Sequence, residues 1–147
     1  LAHELPPVVR GALACVALPT CGLALTDAER ALPEMTAAIH AAMAEVGLAD
    51  DAISVRVTGC PNGCVRPYTA EIGIVGRSVD LYAILLGASH VGTRLGTVFA
   101  ENVPRREIGQ RLRSVLQRYA GERRPGESFG DYCHRVGVEA LAQQPVA

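Results

Sequence analysis

The sequence contains no lysine; all 14 of its basic residues are arginine, and 15 acidic residues bring the formal net charge to -1. Without a surplus of positive charge there is no field to gather nucleic acid or an anionic bilayer, and neither is expected as a partner. Exclusive use of arginine is what a GC-rich coding bias gives, and it also supplies the planar fork that meets carboxylates bidentately. A long hydrophobic run is missing as well. The longest uncharged stretch, Gly11 to Thr26, is broken by Pro19 and Thr20, and it falls short of the roughly 20 apolar residues a membrane span needs. What precedes it is Glu4 and the Pro6-Pro7 pair rather than a basic start, so a signal peptide is not expected either. Nor is there an even number of cysteines. The five, Cys15, Cys21, Cys60, Cys64 and Cys133, do not make a secreted disulfide framework, and a chain of this size and apolarity does not need one.

Apolar residues make up 49% of the 147 and charged residues 20%, which excludes intrinsic disorder and is enough for one domain with its own core, spanning 1–147. The first residue, Leu1, is not methionine, and the expectation is a fragment of a longer polypeptide. Residues 1–10 read as an extended, proline-containing arm. Thr26-Asp27-Ala28-Glu29 has the pattern of a capping box, which predicts a helix start. Met35, Ile39, Met43 and Val46 follow at helical spacing up to Gly47. Ile53, Val55 and Val57 alternate with polar residues as in a half-buried strand. Glu71–Val75 and Leu81–Leu86 are further strands, with Gly76, Arg77, Ser78 and Asp80 between them as a hairpin turn. Pro104 suits the first turn of a helix carrying Ile108, Leu112, Val115, Leu116 and Tyr119 to Gly121, and a short helix from Phe129 to Leu141 precedes a tail ending in Pro145.

Four cysteines form two pairs, C-x5-C at Cys15 and Cys21 and C-x3-C at Cys60 and Cys64. Two thiolates that close in sequence can share one inorganic centre only if the chain between them turns tightly. Pro61-Asn62-Gly63 supplies such a turn, proline fixing φ while asparagine and glycine tolerate left-handed backbone. Two such pairs fit a zinc ion or an iron–sulfur cluster. Zinc knuckles more often read C-x2-C or C-x4-C, and the redox dithiol C-x2-C is absent. The remaining reading is buried free thiols acting as small hydrophobes. That reading also suits Cys133, which stands alone. His3, His40, His90 and His134 lack the paired spacing of a metal site.

These motifs resemble the sulfite and nitrite reductase family. The likeness rests on Ala14-Cys15 with Pro19-Thr20-Cys21, on Arg56-Val57-Thr58-Gly59-Cys60-Pro61-Asn62-Gly63-Cys64-Val65-Arg66-Pro67-Tyr68 and on Ala70-Glu71. It continues through Gly73, Gly76, Gly92-Thr93-Arg94-Leu95 and Ser128-Phe129-Gly130-Asp131-Tyr132. Within the family the residues are most similar to the C-terminal portion of the assimilatory sulfite-reducing members; Gly63 and the Arg56-Val57-Thr58 lead-in look less like the nitrite-reducing ones.

The resemblance implies an α+β fold with a mixed sheet, in which a run of three strands is followed by helices around a siroheme and 4Fe-4S site. It implies that Cys15, Cys21, Cys60 and Cys64 hold the cluster and that Cys64 also bridges to the siroheme iron. Asn62 and Gly63 would lie against the cofactors. Thr20 and Arg66 would meet siroheme carboxylates, although Arg66 reads equally as a surface arginine, and Arg56, Arg77 and Arg94 also lie near the motifs. The implied reaction is the six-electron reduction of sulfite to sulfide, with electrons from a flavoprotein subunit or ferredoxin, in the cytoplasm. Nitrite reduction and a non-catalytic four-cysteine metal module are the alternatives. No catalytic residue is expected in this fragment, because the family's sulfite-binding and proton-delivering residues belong to an N-terminal remainder that these 147 residues do not include.

Overall fold

The computed structural model describes residues 5–143, and its first element follows from two prolines. Pro7, with φ already near the helical value, occupies the first position of a four-residue turn, α1 (Pro7–Arg10). This part of the expected extended arm is therefore helical. His3 and the tail at Pro145 lie outside the described residues.

The chain continues through β1 (Leu13–Ala14), α2 (Leu32–Glu45), β2 (Val55–Thr58), β3 (Ile72–Ser78), β4 (Leu81–Leu86), β5 (Thr97–Pro104), α3 (Ile108–Glu122), α4 (Phe129–Val136) and α5 (Val138–Ala142). The sheet order is β1-β2-β3-β4-β5. β1, β2 and β3 run parallel, while β4 and β5 are each antiparallel to the strand before. This is the expected mixed α+β sheet; β2 and β4 stand where the sequence pattern puts them, β3 runs on to Ser78, and β1 and β5 add to the expected run of three strands. One face carries Val55, Val57, Ile72, Ile74, Tyr82, Ile84 and Leu86 against Met35, Ile39 and Met43 of α2, Leu112 and Leu116 of α3, and Phe129 and Tyr132 of α4. Burial of that common apolar face is the main stabilising term.

The capping box does not form. Thr26 is buried and its hydroxyl is used across the fold, donating to Tyr82 Oη (3.0 Å) and accepting from the Asp80 amide (3.2 Å). The helix begins six residues later, with Pro33 in its first turn. Tyr82 Oη in turn donates to the Asp27 carbonyl (2.7 Å), so the polar residues that resemble a cap instead tie the first cysteine loop to β4. The expected turn also moves: Gly76, Arg77 and Ser78 belong to β3 with a register irregularity, and the chain reverses at Asp80, whose φ is +56°. The last helix is divided at Gly137, φ +93°.

Glu71, only 3% exposed, joins three elements. One carboxylate oxygen accepts from the Ser54 amide (2.9 Å) and hydroxyl (3.2 Å), just before β2; the other accepts from the Gly130 amide (3.1 Å) in the first turn of α4. Its own amide donates to Ser54 Oγ (3.0 Å). The negative charge thus sits where a helix N-terminus presents free N–H groups.

The corner between α3 and α4 is held by charge as well as by the edge-on packing of Tyr119 and Phe129, whose ring centroids are 5.3 Å apart. Glu127 accepts from Arg135 Nε (2.6 Å) and Nη2 (2.8 Å) and from the Arg124 amide, and these bonds pull its carboxyl down to about 2. Arg94 beside Asp131 (2.6 Å) and Arg118 beside Glu122 lower those carboxyls too. Each has a folded-state pKa below its unfolded value, so the stabilisation is complete above the ordinary carboxylate range and fades as pH falls through the folded value. The thermal midpoint is expected to drop between about pH 4.5 and pH 2. Thermal melts across that range check this, and Arg135→Gln should flatten part of the slope.

Candidate functional site

Parallel neighbours end on the same edge of a sheet, so whatever follows β1 meets whatever follows β2. In open α/β sheets that carboxyl edge is where ligands are received. Here Cys15 follows β1 and Gly59-Cys60 follows β2. The Cys15 amide continues the ladder by donating to the Val57 carbonyl (3.1 Å), and the Gly59 amide donates to Cys15 Sγ (3.3 Å). The two cysteine pairs, distant in sequence, are joined at this edge.

The first cysteine loop is fastened to the start of the second. Leu25 and Thr26 both donate backbone hydrogen bonds to the Gly59 carbonyl (2.8 and 3.2 Å), and the Cys21 amide donates to the Ala17 carbonyl (2.7 Å). A Cβ on Gly59 would stand 2.6 Å from the Ala17 Cβ and 2.7 Å from the Thr26 carbonyl oxygen. No other residue fits there.

The second loop turns at Gly63, φ +67°, over the ring of Tyr68, and the Tyr68 hydroxyl donates to the Pro61 carbonyl (2.5 Å). A Cβ on Gly63 would lie 2.6 Å from the ring edge. Gly63→Ala is expected to cost about 1–3 kcal/mol from the left-handed backbone and the displaced ring together. Urea unfolding of the variant measures it, and Tyr68→Ala in the same background should relieve the steric part. In the sequence motif Tyr68 carries no signal of a role of its own. Its task of bracing the turn becomes visible only when the ring is seen against the glycine.

Exposure differs among the four cysteines. Cys60 is 8% exposed, Cys15 and Cys21 are half-buried, and Cys64 is exposed. None is in a disulfide. Among the described residues, no three His, Cys, Asp or Glu side chains gather as a single metal ion requires. A closed zinc site draws four ligands to about 2.3 Å. Soft sulfur donors on two loops at one edge are the donor type that an iron–sulfur cluster takes.

Thr20, Asn62 and Arg66 are all exposed on these loops. Of the four arginines near the motifs, three are engaged: Arg56 with the Arg66 carbonyl and Thr69 Oγ1, Arg77 with Glu101, and Arg94 with Asp131 and the Gly87 carbonyl. The Arg66 guanidinium makes no hydrogen bond or ion pair among the described residues, and its backbone is left-handed at φ +57°. Val16, Leu18, Leu23 and Leu25, all on the first cysteine loop, are exposed, Leu23 by 70%. An apolar rim of this kind beside polar donors marks a surface that another body covers.

Cys133 is elsewhere, wholly buried in the core on α4, where burial raises its thiol pKa far above the ordinary value. His40 is half-buried on α2, while His90 and His134 are exposed. Thr58 is the last residue of β2, and the sequence motif gives it no signal of a role. It is 1% exposed and its hydroxyl oxygen has no hydrogen-bond partner.

The family model for the nitrite and sulphite reductase 4Fe-4S domain matches residues 7–145. A protein of Chromohalobacter salexigens named sulfite reductase [NADPH] hemoprotein beta-component is 51% identical over 137 residues, covering 93% of this chain and 24% of that protein. The protein of the same name from Xanthomonas euvesicatoria pv. vesicatoria is 49% identical over 140 residues, covering 94% of this chain and 25% of its own. The chain therefore spans about a quarter of the length of these relatives. Among solved structures, the Mycobacterium tuberculosis NirA protein superposes with a TM-score of 0.77 at 22% identity, over 94% of this chain and 27% of that one, and so has the same fold.

Proposed function

Because the chain belongs to the nitrite and sulphite reductase 4Fe-4S domain family, we propose that it is the cluster-holding C-terminal part of a sulfite reductase hemoprotein. Its substrate is sulfite, reduced to sulfide by six electrons. The observation that carries this reading is the bond from the Gly59 amide to Cys15 Sγ, which brings the C-x5-C and C-x3-C pairs to one edge of the sheet.

When bound, a 4Fe-4S cluster passes single electrons and siroheme offers an iron at which sulfite is reduced. Cys15, Cys21, Cys60 and Cys64 are the thiolates that hold the cluster. The Gly59 amide donates to the first of them, and the fastening of both loops to Gly59 keeps the donor set rigid. Cys64 is the exposed member of the four, so it is the cysteine that would also face siroheme. Asn62 and Gly63 form the surface against which the cofactors rest. Arg66, free of protein partners among the described residues, and Thr20 receive siroheme carboxylates by charge-assisted hydrogen bonds. Residues that bind sulfite and deliver protons come from the N-terminal remainder, packed over the apolar rim of Val16, Leu18, Leu23 and Leu25.

The relatives' names specify NADPH. NADPH gives up electrons as a hydride pair, so an intervening flavin that divides the pair suits a one-electron acceptor, and a flavoprotein subunit is favoured over ferredoxin. Free thiolates and a cluster suit the reducing cytoplasm. Among the described residues no helix is long and apolar enough to cross a membrane.

The test is purification of the full-length protein, with iron, acid-labile sulfide and extractable siroheme measured beside sulfide production from sulfite. Coloured protein with one iron more than acid-labile sulfide for each siroheme, and a preference for sulfite over nitrite, is expected. Colourless, zinc-loaded protein would return the four cysteines to a binding module, and a preference for nitrite would move the chain to the other branch of its family.

A further inference from the structure

We propose that the Thr58 hydroxyl is a hydrogen-bond donor to an anionic sulfur of the centre held by Cys15, Cys21, Cys60 and Cys64, and so sets its electron affinity. The inference rests on the cluster reading given above and adds to it a positioning residue outside the ligand set.

Thr58 is 1% exposed, and its Oγ1 is one of only two buried side-chain polar atoms among the described residues without a partner. The other, Arg77 Nε, belongs to a guanidinium already paired through Nη2 with Glu101 (3.4 Å). Thr58 has no such second contact. Burying a hydroxyl without an acceptor is unfavourable, and valine, nearly the same shape, would fill a strand position without that cost. An orphaned hydroxyl therefore calls for an acceptor that the protein itself does not supply.

Position indicates which acceptor. β1 and β2 pair Leu13 with Arg56 and Ala14 with Val57; continuing that register by one residue sets Cys15 beside Thr58. The next residue, Gly59, already donates its amide to Cys15 Sγ (3.3 Å), and Cys60 follows. On its other side Thr58 pairs with Val75, which offers no polar side chain. The two residues immediately before Cys60 thus form a pair of donors at the sulfur edge, one satisfied and one waiting.

The chemistry follows from charge. Reduction adds an electron to the sulfur-ligated centre, and a hydrogen bond to sulfur stabilises the more negative state, which raises the reduction potential. Removing the donor makes reduction harder. A tenfold loss in the reduction equilibrium is expected, which for a one-electron couple is about 59 mV toward negative potential.

The experiment is a redox titration of the full-length holoprotein, wild type against Thr58→Val and Thr58→Ser, followed by electron paramagnetic resonance of the reduced cluster. The valine variant should titrate at more negative potential with iron content unchanged, and the serine variant, which restores the hydroxyl, should return close to wild type. Thermal melting without cofactors should show the valine variant at least as stable as wild type, because in that state the hydroxyl has nothing to lose. Equal potentials in all three proteins would overturn the inference while leaving the cluster intact. A wild-type protein with no four-iron signal would overturn the cluster reading and this inference with it.

Discussion

Replacing Cys64 by serine in the full-length protein is expected to reduce sulfite reduction to background and to change the visible spectrum, with iron lost from the cluster. Serine replaces a soft, readily ionised sulfur by a hard hydroxyl that stays protonated near neutral pH. Of the four cysteines, Cys64 is the exposed one on the turn braced by Tyr68, so the substitution leaves the packing almost untouched and the loss reports on ligation. Cys133→Ala is the contrasting variant. That side chain is wholly buried in the core cluster, so its removal leaves a small cavity costing about 1–2 kcal/mol. Spectrum, iron content and turnover should stay within about twofold of wild type, a change of less than about 0.5 kcal/mol in barrier. Normal turnover in Cys64→Ser, or cluster loss in Cys133→Ala, would remove the ligand assignment.

The largest effect on the fold itself is expected at Glu71. Glu71→Ala withdraws the acceptor from the Ser54 amide, the Ser54 hydroxyl and the Gly130 amide at once. Hydrogen bonds to a charged group are the strong ones, and donors left buried without a partner add their desolvation cost. A loss of about 4 kcal/mol is expected, a large fraction of the stability of any domain this size. The midpoint of thermal unfolding should fall by roughly 10 °C. Ser54→Ala removes one of these donors together with the acceptor of the Glu71 amide and should cost about half as much. Calorimetry of the two variants compares them, and a Glu71→Ala midpoint within a degree or two of wild type would mean that water replaces the carboxylate at little cost.

How much of this could be read from sequence differs by element. Val55 and Val57 alternate with the partly exposed Arg56, and β3 and β4 carry aliphatic runs because both of their faces are buried. β1 is two residues long, too short for any period to show. β5 has one buried residue, Val103, and is interrupted at Asn102, φ +53°, beside shifts in its pairing with β4, so its pattern reads as loop. Thr26 misled because a threonine hydroxyl serves equally well at a helix end or across a core, and only the position of Tyr82 decides between them. At the site, cysteine spacing carried the two pairs. It could not carry Thr58, since whether a hydroxyl has a partner is a property of the folded neighbourhood, or rank the arginines, whose availability depends on acids brought near by the fold.

β2 and β3 lie side by side and point the same way, so the chain must travel back the length of the strand between them, a journey usually made by a helix. Here residues 59–71, the second cysteine turn and the short 3₁₀ turn Pro67–Thr69, make it instead. The second cysteine turn is therefore also the return strap of the sheet. Adding or deleting one residue in it would slide β3 by one position and turn Ile72 and Ile74 out of the core, or else lift Cys64 from the turn. The C-x3-C interval is thus measured by strand geometry on one side and, under the proposed function, by the inorganic centre on the other. Attempts to re-tune this site can succeed by exchanging residues, whereas a change in the length of the strap would be read by the whole sheet.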